Sequence, residues 1–450
     1  MAKIPKPPPG GVAGPADDDT LKPGLPRGAW MALIAAFLGW MFDGLEMGLF
    51  PLVARPALLE LMDSQQQMGT WMSIVIAVFL IGAALGGIIF GWLGDRIGRV
   101  RAMVWSVLIY SIFSGLCAFA QEPWHLAVLR FIAALGMGGE WSLGVALVME
   151  IWPSNKRPLL AGLIGAASNV GFLLIGLLGW GMTVVGLPAL LRSLYLTEDQ
   201  VTYLLGANGD GWRVLMLLGA VPAFLTLFIR IFVPESERWR EAAASGPKTR
   251  LADIFAPGLA PITIIATCLG AVALMGTWGS VQWTPAWANR MSGGAAEATA
   301  LTQIYSAAGA IFGTMLAAQM ADWFSRRWAY FMIALASLLV CGYLFRVTTE
   351  FDQHFLWTVA AVGAVTGSFY GWLPLYLPEL FPTRMRATGQ GFAFNFGRVL
   401  AAAGALGSGQ LLNYFDEDYA RTGSYTSLIY LIPLVLIWFA PETKGKPLPD

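Results

Sequence analysis

Charged residues are scarce in this sequence of 450 residues, since Asp, Glu, Lys and Arg together make up 12% of it, about half the share of a typical soluble domain. Cysteine occurs three times and histidine twice. Cys117, Cys268 and Cys341 fall in three separate apolar segments, and His125 and His354 have no ligand partner at metal spacing. This pattern excludes a disulfide framework, and we predict neither a metal site nor a cofactor.

Sequence motifs for several kinds of chemistry are also missing. The chain contains no G-x-x-x-x-G-K-[ST] loop, which excludes ATP-driven transport by this chain alone. No Ser, His and Asp constellation is expected to converge, so an enzyme is not predicted. The formal net charge is zero, so bulk charge indicates no particular partner, and a nucleic-acid partner is not expected.

Apolar residues are abundant, with 56% hydrophobic residues and a mean hydropathy of +0.62. Helical runs of about 18 or more apolar residues can cross a bilayer, and runs such as SLIYLIPLVLIWFA lack the alternation of a transmembrane strand. Twelve such runs, numbered here as spans 1 to 12, centre on residues 30–52, 70–93, 102–120, 124–150, 158–183, 213–233, 259–287, 299–320, 328–346, 355–377, 387–410 and 424–440. We therefore predict an all-α membrane protein.

The placement of Lys and Arg predicts how the chain is oriented. Of the 28 Lys and Arg residues, 19 lie in the N-terminal tail, the loops after even-numbered spans and the C-terminal tail, and 6 lie on the opposite side. Because positive residues favour the cytoplasmic side, we predict a multi-pass protein of the cell inner (plasma) membrane with both termini cytoplasmic. Residues 1–28 are rich in Pro and Gly and are expected to form a disordered cytoplasmic tail.

The two halves of the chain repeat one another. GWLGDRIGR (91–99) matches AQMADWFSR (318–326), EIWPSNKR (150–157) matches ELFPTRMR (379–386), and PESERW matches PETKGK. The first two offsets are 227 and 229 residues, and the third is shorter because residues 184–211 form an extra outer segment. We predict an N-terminal six-helix bundle (29–233), a cytoplasmic linker (234–258), a C-terminal six-helix bundle (259–440) and a cytoplasmic tail (441–450).

These motifs resemble those of the major facilitator superfamily from Trp30 to about Lys446. GWLGDRIGRVR is close to the superfamily's loop between spans 2 and 3, and FDGLE, RFIAALGMGGEW and FPTRMRATGQGFAFNFGR look like the sialate and aromatic-acid proton symporters. PESERW and PETKGK are similar to sugar porters, but span 7 lacks that family's paired-glutamine motif, and span 5 lacks the G-P-x-x-G of drug antiporters. The resemblance implies two pseudo-symmetric six-helix bundles that rock around a central site.

Four ionisable residues inside the spans are candidates for proton coupling. Asp43 lies about 20 Å into span 1 and shares a helix face with Glu46. A carboxylate facing lipid is costly, so this face must point inward, where it either binds protons or makes a structural polar contact. Arg130 in span 4 reaches a comparable depth and is expected to pair with Asp43, as the matching arginine does in transporters similar to sugar porters. Glu140 is a second coupling candidate.

The predicted substrate-binding residues lie in the C-terminal half. Arg398 and Asn395 are about one turn apart in span 11. A buried guanidinium with no acid in the same half would suit an anionic substrate, so Arg398 is the predicted carboxylate anchor, with a structural bond to backbone carbonyls as the alternative. The other candidates near mid-depth are Trp278, Gln282, Trp283, Tyr305 and Tyr370.

The predicted gate consists of charged residues and glycines at the cytoplasmic ends of the spans. They are Gly91, Asp95, Arg96, Gly98, Arg99, Glu150 and Arg157 in the N-terminal half, and Asp322, Arg326, Glu379 and Arg386 in the C-terminal half. Charged pairs between helix ends can form in one conformation and break in another. A purely topological role for the basic residues is the alternative.

Together these features predict a secondary active transporter, a proton symporter that imports a small organic acid such as sialate, an aromatic acid or another monocarboxylate by alternating access. The alternatives are a sugar porter and a non-transporting solute receptor with the same fold. The sequence leaves open sodium coupling and facilitated diffusion, and it names no substrate. A monomer in the lipid bilayer is expected.

Overall fold

The computed structural model describes residues 28–62, 68–185, 191–192, 194, 196–206, 211–245, 250–293, 296–416 and 418–449. Within these ranges every regular element is a helix, which confirms the predicted all-α class. Of the predicted disordered tail, residues 1–27 lie outside the described residues, as do parts of the outer segment 184–211 and of the linker.

The N-terminal half contains the first six spans. Spans 1 to 5 are the helices Ala29–Leu61, Met68–Ile97, Arg99–Leu116, Pro123–Ile151 and Arg157–Val185. Span 6 consists of two shorter helices, Trp212–Leu218 and Ala223–Phe232, with Pro222 between them. Proline has no N–H to donate, so it interrupts the helical hydrogen bonds there. The outer segment holds the helix Glu198–Leu205, and the linker holds the helix Glu237–Ser245.

The C-terminal half contains the other six spans. Span 7 consists of the helices Ala260–Gly279 and Thr284–Met291, joined by a 3₁₀ turn at Val281–Trp283. Spans 8 to 11 are the helices Ala296–Trp323, Arg326–Val347, Gln353–Tyr376 and Arg386–Tyr414. Span 12 is divided into Tyr419–Thr426 and Leu431–Leu436, with 3₁₀ turns at Ser427–Tyr430 and Ile437–Phe439.

Ten segments of the described chain are helical, long and apolar enough to cross a membrane. The predicted spans outside that set are span 6, which is broken, and span 11, which carries Gln390, Asn395 and Arg398. The molecule buries these three polar side chains and exposes large apolar ones such as Phe312 and Val435. A helical bundle needs this distribution when lipid is its solvent.

Glycines at matching positions let helices of each half approach one another closely. A Cβ on Gly86 of span 2 would lie 1.9 Å from the Leu135 carbonyl oxygen of span 4. A Cβ on Gly313 of span 8 would likewise lie 1.9 Å from the Ala364 carbonyl oxygen of span 10. Gly313 follows Gly86 by the same 227 residues that separate GWLGDRIGR from its repeat. The repeat in the sequence therefore corresponds to one helix contact that is built twice.

The exposed outer helix allows a test of the predicted orientation. Glu198 is 71% exposed at the start of this helix, and Glu237 is exposed at the start of the linker helix. We expect Glu198→Cys to react with a membrane-impermeant maleimide in intact cells, because the charge bias places this segment outside. The matched variant Glu237→Cys should react only after permeabilisation. The reverse pattern of labelling would contradict the orientation.

Candidate functional site

A cavity lies between the two halves of the molecule. It extends from mid-depth toward Gln282 and Gln303, away from the end of the bundle where Ala29 and Asp95 lie, called here the Asp95 end. It contains about 900 Å³ of space unfilled by protein atoms, part of which is open solvent. Its lining is mostly apolar and aromatic with several amides and hydroxyls, and Arg398 is the one charged side chain among the described residues that line it. This composition is typical of a small-molecule site.

Aromatic rings from both halves meet at the cavity. Trp40 of span 1 packs edge to face on Trp141 of span 4, with 5.5 Å between ring centres. Phe394 of span 11 stacks on Trp141 at 4.1 Å and has Tyr370 edge-on at 6.5 Å. The Tyr370 hydroxyl donates a hydrogen bond to Thr277 Oγ1 at 3.0 Å. Because Phe394 packs on tryptophans of the other half, a rocking motion of the halves would have to separate these rings.

Arg398, the predicted carboxylate anchor, is 6% exposed and lines the cavity. Its Nη1 donates to Asn395 Oδ1 at 2.8 Å, and its Cζ lies 5.3 Å from the centre of the Phe394 ring. Asn395 does not line the cavity, contrary to the prediction. Its amide donates to the Gly391 carbonyl at 2.9 Å, and its side chain packs against Gly87 of span 2. Asn395 therefore orients Arg398 rather than contacting the cavity.

The other predicted binding residues divide into two groups. Trp278, Gln282 and Tyr370 line the cavity. Trp283 instead borders a separate small pocket beside Trp287, because the 3₁₀ turn of span 7 changes the direction of its side chain. Tyr305 also lies away from the cavity, where its hydroxyl accepts a hydrogen bond from Gln353 Nε2 at 3.0 Å. Mid-depth alone was therefore not enough to place these two side chains.

Several cavity residues were missed by the sequence reasoning. They include Trp40, Asn169, Phe172, Gln303 and Phe394. Asn169 and Gln303 are the informative members, because polar side chains within membrane spans are costly unless they serve a contact. Isolated amides in apolar spans could have been noted as candidates. No sequence pattern indicated which aromatic side chains face the cavity.

The buried arginine of span 4 pairs mainly with a different acid from the one predicted. Arg130 Nη1 forms a salt bridge with Glu46 Oε1, and the same oxygen accepts a hydrogen bond from Ser114 Oγ of span 3 at 3.0 Å. The charges that act most on Asp43 are instead those of Glu140 and Arg398. The expected Asp43–Arg130 pair is therefore corrected to Glu46–Arg130, because spans 3 and 4 meet span 1 at the level of Glu46.

Asp43 and Glu140 form a buried carboxyl pair. Each is 1% exposed, and the Glu140 carboxyl lies against Gly39, one turn before Asp43. Neither carboxyl group makes a hydrogen bond with a nitrogen or hydroxyl donor of the described residues. Two carboxyl groups in contact without donors are stable only if they share at least one proton. The positive charge of Arg398 acts on Asp43 from the other half.

Ion pairs join the two halves at the Asp95 end. Arg99 Nη1 lies 2.6 Å from Asp95 Oδ1, and Arg99 Nη2 lies 3.0 Å from Glu150 Oε1. Arg386 of the C-terminal half lies 3.0 Å from the same oxygen of Glu150. All four side chains are fully buried. Glu150 is thus held between arginines of opposite halves, and removing one partner from such a group would leave a buried charge uncompensated.

Asp95 also caps a helix of the other half. Its carboxylate accepts hydrogen bonds from the backbone N–H groups of Ala387 at 3.3 Å and Thr388 at 2.7 Å, and from the Thr388 hydroxyl. These N–H groups belong to the first turn of span 11, where they have no helical partner and the helix dipole favours an anion. The motif at the end of span 2 therefore holds the start of span 11, and these contacts separate the cavity from the Asp95 end.

The repeat of this charged motif in the C-terminal half forms an ion pair within that half. Arg326 pairs with Glu379 at 2.7 Å, whereas Asp322 is 53% exposed and lies 4.0 Å from Arg326. Arg157 is buried and donates to the Met149 carbonyl of its own half at 3.1 Å. The exposed Asp322 is therefore not an equivalent of the buried Asp95.

Three further predicted gating residues differ in their surroundings. Arg96 is exposed and covers the ring of Trp92 on its own helix, so it stands outside the buried network. Gly91 lets span 11 approach, since a Cβ there would lie 2.6 Å from the Ala387 carbonyl oxygen. Gly98 has a φ of +108° between spans 2 and 3, a conformation that favours glycine.

Two glutamates that the sequence reasoning left out cap matching helices. Glu235 of PESERW accepts the N–H of Arg99 at 2.9 Å at the start of span 3, and Glu442 of PETKGK accepts that of Arg326 at 3.1 Å at the start of span 9. Burial raises the pKa of Glu235. Burial acts in the same direction on Glu442, but hydrogen bonds from backbone N–H groups, first that of Lys444, lower its pKa overall. The Pro-Glu pair that occurs in both PESERW and PETKGK was the sequence signal that could have identified these two glutamates.

Substitution of Asp95 by Asn should slow transport while leaving equilibrium substrate binding near the wild-type level. Asn removes the charge that pairs with Arg99 and that faces the N-terminus of span 11, and the lost interaction with the helix dipole alone weakens the contact between the halves by about 0.3–1 kcal/mol. Uptake rate and equilibrium binding would be measured on the same preparation. Asp322→Asn, at the exposed counterpart, is the matched control. Loss of binding together with transport would contradict a gating role.

Comparisons with known proteins agree with this architecture. A sequence model of the Major Facilitator Superfamily matches residues 29–405. A putative metabolite transport protein of Haemophilus influenzae is 30% identical and covers 93% of this chain and 98% of its own length. A cis,cis-muconate transport protein of Acinetobacter baylyi is 28% identical over 83% of this chain and 85% of its own. A sialic acid transporter of Escherichia coli is 24% identical over 86% and 87%, respectively.

A solved structure has the same fold. It is the proton:xylose symporter bound to 6-bromo-6-deoxy-D-glucose, with a TM-score of 0.76, 18% sequence identity, and coverage of 94% of this chain and 98% of that chain. At 18% sequence identity, this similarity is evidence for the fold alone. The predicted fold of two six-helix bundles is confirmed.

Proposed function

The chain belongs to the major facilitator superfamily and is a membrane transporter of small organic metabolites, not an enzyme, and we propose that it is a proton-coupled symporter of a small organic carboxylate. The observation that carries this proposal is the position of Arg398. It lines the cavity, and its positive charge acts on the buried Asp43, one member of the Asp43–Glu140 pair.

Arg398 binds the substrate carboxylate in this proposal. A guanidinium can hold a carboxylate through two parallel hydrogen bonds, and the described lining offers no second cation. That charge balance favours a substrate with a single carboxylate. Relatives named for the transport of sialic acid, cis,cis-muconate and niacin support the carboxylate class, since all three compounds are carboxylic acids, of which sialic acid and niacin carry a single carboxyl group.

The proton binds to the Asp43–Glu140 pair. Without substrate, the charge of Arg398 stabilises a carboxylate on Asp43. When a substrate carboxylate binds the guanidinium, the charge of Arg398 no longer compensates a carboxylate on the buried Asp43. Protonation of the Asp43–Glu140 pair then becomes favourable. Substrate and proton then bind together because both depend on the same arginine. Glu46 lies three residues beyond Asp43 in span 1, where it forms a salt bridge with Arg130 of span 4.

Alternating access follows from the contacts between the halves. The described conformation holds the Asp95 end together through Asp95, Glu150 and Arg386, while the cavity extends toward the other end. Release at the Asp95 end requires these contacts to break as the halves rock. The charge bias supports an inner-membrane protein with both termini in the cytoplasm, and both halves of a single chain line the cavity, which supports transport by a monomer.

Uptake by purified protein in proteoliposomes tests the proposal. Organic acids and sugars would be screened with and without an inward proton gradient, and with an inward sodium gradient as the matched control. We expect one or more monocarboxylates to accumulate only with the proton gradient. Accumulation of a sugar instead would favour the sugar porter, and binding without uptake would favour a receptor. Uptake that follows sodium would contradict proton coupling.

A further inference from the structure

Arg398 is held in the cavity by two neighbours that both touch the other half of the molecule. Its Nη1 donates to Asn395 Oδ1 at 2.8 Å, and its Cζ lies 5.3 Å from the centre of the Phe394 ring. Phe394 stacks on Trp141 of span 4 at 4.1 Å. Asn395 lies against Gly87 of span 2. The function proposed above uses Arg398 as the anchor but gives no role to these contacts with the N-terminal half.

The contact at Gly87 continues a line of contacts between spans 2 and 11 that begins at the gate. Gly87, Gly91 and Asp95 follow one another at intervals of four residues, so they share one face of span 2. Asp95 accepts the Thr388 N–H at 2.7 Å. A Cβ on Gly91 would lie 3.5 Å from Gly391 Cα, and a Cβ on Gly391 would lie 2.8 Å from the Gly87 carbonyl oxygen. The two antiparallel helices therefore touch from the Asp95 end as far as Gly87.

The Asn395 amide fills the space beside Gly87. A Cβ on Gly87 would lie 1.9 Å from Asn395 Nδ2 and 2.5 Å from Asn395 Oδ1, so only glycine leaves room for the amide in this position. The Asn395 side chain is fully buried. Its Nδ2 donates to the Gly391 carbonyl at 2.9 Å, and its Oδ1 accepts from Arg398. The orientation of the amide is thus fixed while span 2 lies against it.

We propose that Asn395 is a positioning residue that makes the carboxylate affinity of Arg398 depend on the contact between the halves. While the Asp95 end is closed, the backbone at Gly87 keeps the Asn395 amide on Arg398 Nη1. The N–H groups on Nε and Nη2 form another edge of the guanidinium, and their parallel arrangement fits a carboxylate. When the Asp95 end opens, span 2 separates from span 11 and the amide is free to turn away from Arg398.

The consequence is a difference in substrate affinity between the two conformations. Substrate binds more tightly while the Asp95 end is closed, because Arg398 is then oriented, and it dissociates more readily once that end is open. Such a difference favours loading through the open side of the cavity and release at the Asp95 end. This inference deepens the proposed function and rests on it.

Gly87→Ala tests the inference, because it adds one methyl group in the N-terminal half, outside the cavity lining, and displaces the Asn395 amide. We expect the Kd of the accumulated monocarboxylate, measured on purified protein, to rise about tenfold, as for the loss of one hydrogen bond to a charged group. Asn395→Ala should raise the Kd by a similar factor. The double variant should bind like Asn395→Ala alone, because the methyl group then has no amide to displace.

Gly94→Ala is the matched control. It adds the same methyl group to span 2, where the new Cβ would lie 2.2 Å from Leu143 Cδ2 of the same half. Its Kd should stay at the wild-type value. A rise equal to that of Gly87→Ala would assign the effect to general helix packing and overturn the inference. Effects of Gly87→Ala and Asn395→Ala that multiply in the double variant would overturn it as well.

Half-saturating substrate concentrations on the two sides of the membrane test the dependence on conformation. Counterflow exchange would be measured in right-side-out and inside-out vesicles, with the orientation of the chain read from the labelling of Glu198→Cys. In the wild type, the higher concentration is expected on the side that the Asp95 end faces. Asn395→Ala should raise the value on the opposite side about tenfold and leave the other value unchanged. A merely structural role would raise both values equally, and that result would overturn the inference.

The outcomes separate this inference from the function on which it rests. A wild-type Kd in Gly87→Ala, together with weakened binding in Arg398→Lys, would overturn the role of Asn395 while the carboxylate anchor stands. An unchanged Kd in Arg398→Lys would overturn the anchor and this inference together.

Discussion

Asp43→Asn is expected to abolish substrate accumulation driven by a proton gradient while counterflow exchange continues. Asparagine cannot take up or release a proton, but it keeps the size of the side chain and can donate a hydrogen bond to Glu140 as a protonated aspartic acid would. Exchange of labelled for unlabelled substrate across the membrane needs no net proton movement. Both activities would be measured in the same proteoliposomes, with the initial rate of each compared with that of the wild type.

Asp322→Asn is the control for this experiment, because it makes the same chemical change at an exposed carboxyl of the other half. It should leave accumulation intact. Glu140→Gln should behave like Asp43→Asn, since the two carboxyl groups share the proton. Accumulation that survives in Asp43→Asn would transfer the coupling role to Glu46 or Glu140. Loss of exchange as well would make Asp43 a structural or substrate-binding residue.

Arg398→Lys should weaken substrate binding more than any other single change in the cavity lining. Lysine keeps the charge but loses the planar fork that binds a carboxylate through two hydrogen bonds. The loss of a hydrogen bond to a charged group corresponds to about 1.5–3 kcal/mol, or roughly a 10- to 150-fold increase in Kd. The lost bond to Asn395 adds to the effect, because it orients the guanidinium in the cavity. Equilibrium binding of the accumulated monocarboxylate is the measurement.

Arg346→Lys provides the matched control, because Arg346 is exposed and bonds to a carbonyl of its own helix, far from the cavity lining. Its Kd should equal that of the wild type. An unchanged Kd in Arg398→Lys would move the carboxylate anchor to another residue. Transport of a neutral sugar with unchanged affinity in that variant would remove the need for an anchor and favour the sugar porter.

Much of the gate could be read from the motif at the end of span 2. Asp95 and Arg99 are four residues apart at a helix end, and an acid with several arginines at this place predicts interchangeable ion pairs. The structure adds partners that the motif does not contain, since Asp95 caps span 11 and Glu150 is shared with Arg386. Those partners lie in other spans at large sequence separations, so no local pattern could assign them.

The internal repeat predicted more symmetry between the two halves than the structure contains. The glycine contacts of spans 2 and 4 recur in spans 8 and 10, because close helix packing constrains residue size at fixed positions. The charged positions at the helix ends are less constrained by packing. Asp322 is exposed although it corresponds to the buried Asp95. A surface position tolerates a charge without any partner, so the repeat predicts the residue type there but not its contact.

The sequence by itself determined the membrane class, the number and order of most spans, and the presence of carboxylates and arginines that cannot face lipid. It did so because hydropathy and helix length act locally, and a buried charge is costly wherever it stands. Only the tertiary structure decided which of these groups meet. Asp43 and Glu46 share one helix face, and Arg130 was within reach of either. The packing of spans 3 and 4 brought Arg130 and Ser114 to Glu46 and left Asp43 with Glu140, because partner choice depends on side-chain positions set by all the surrounding helices.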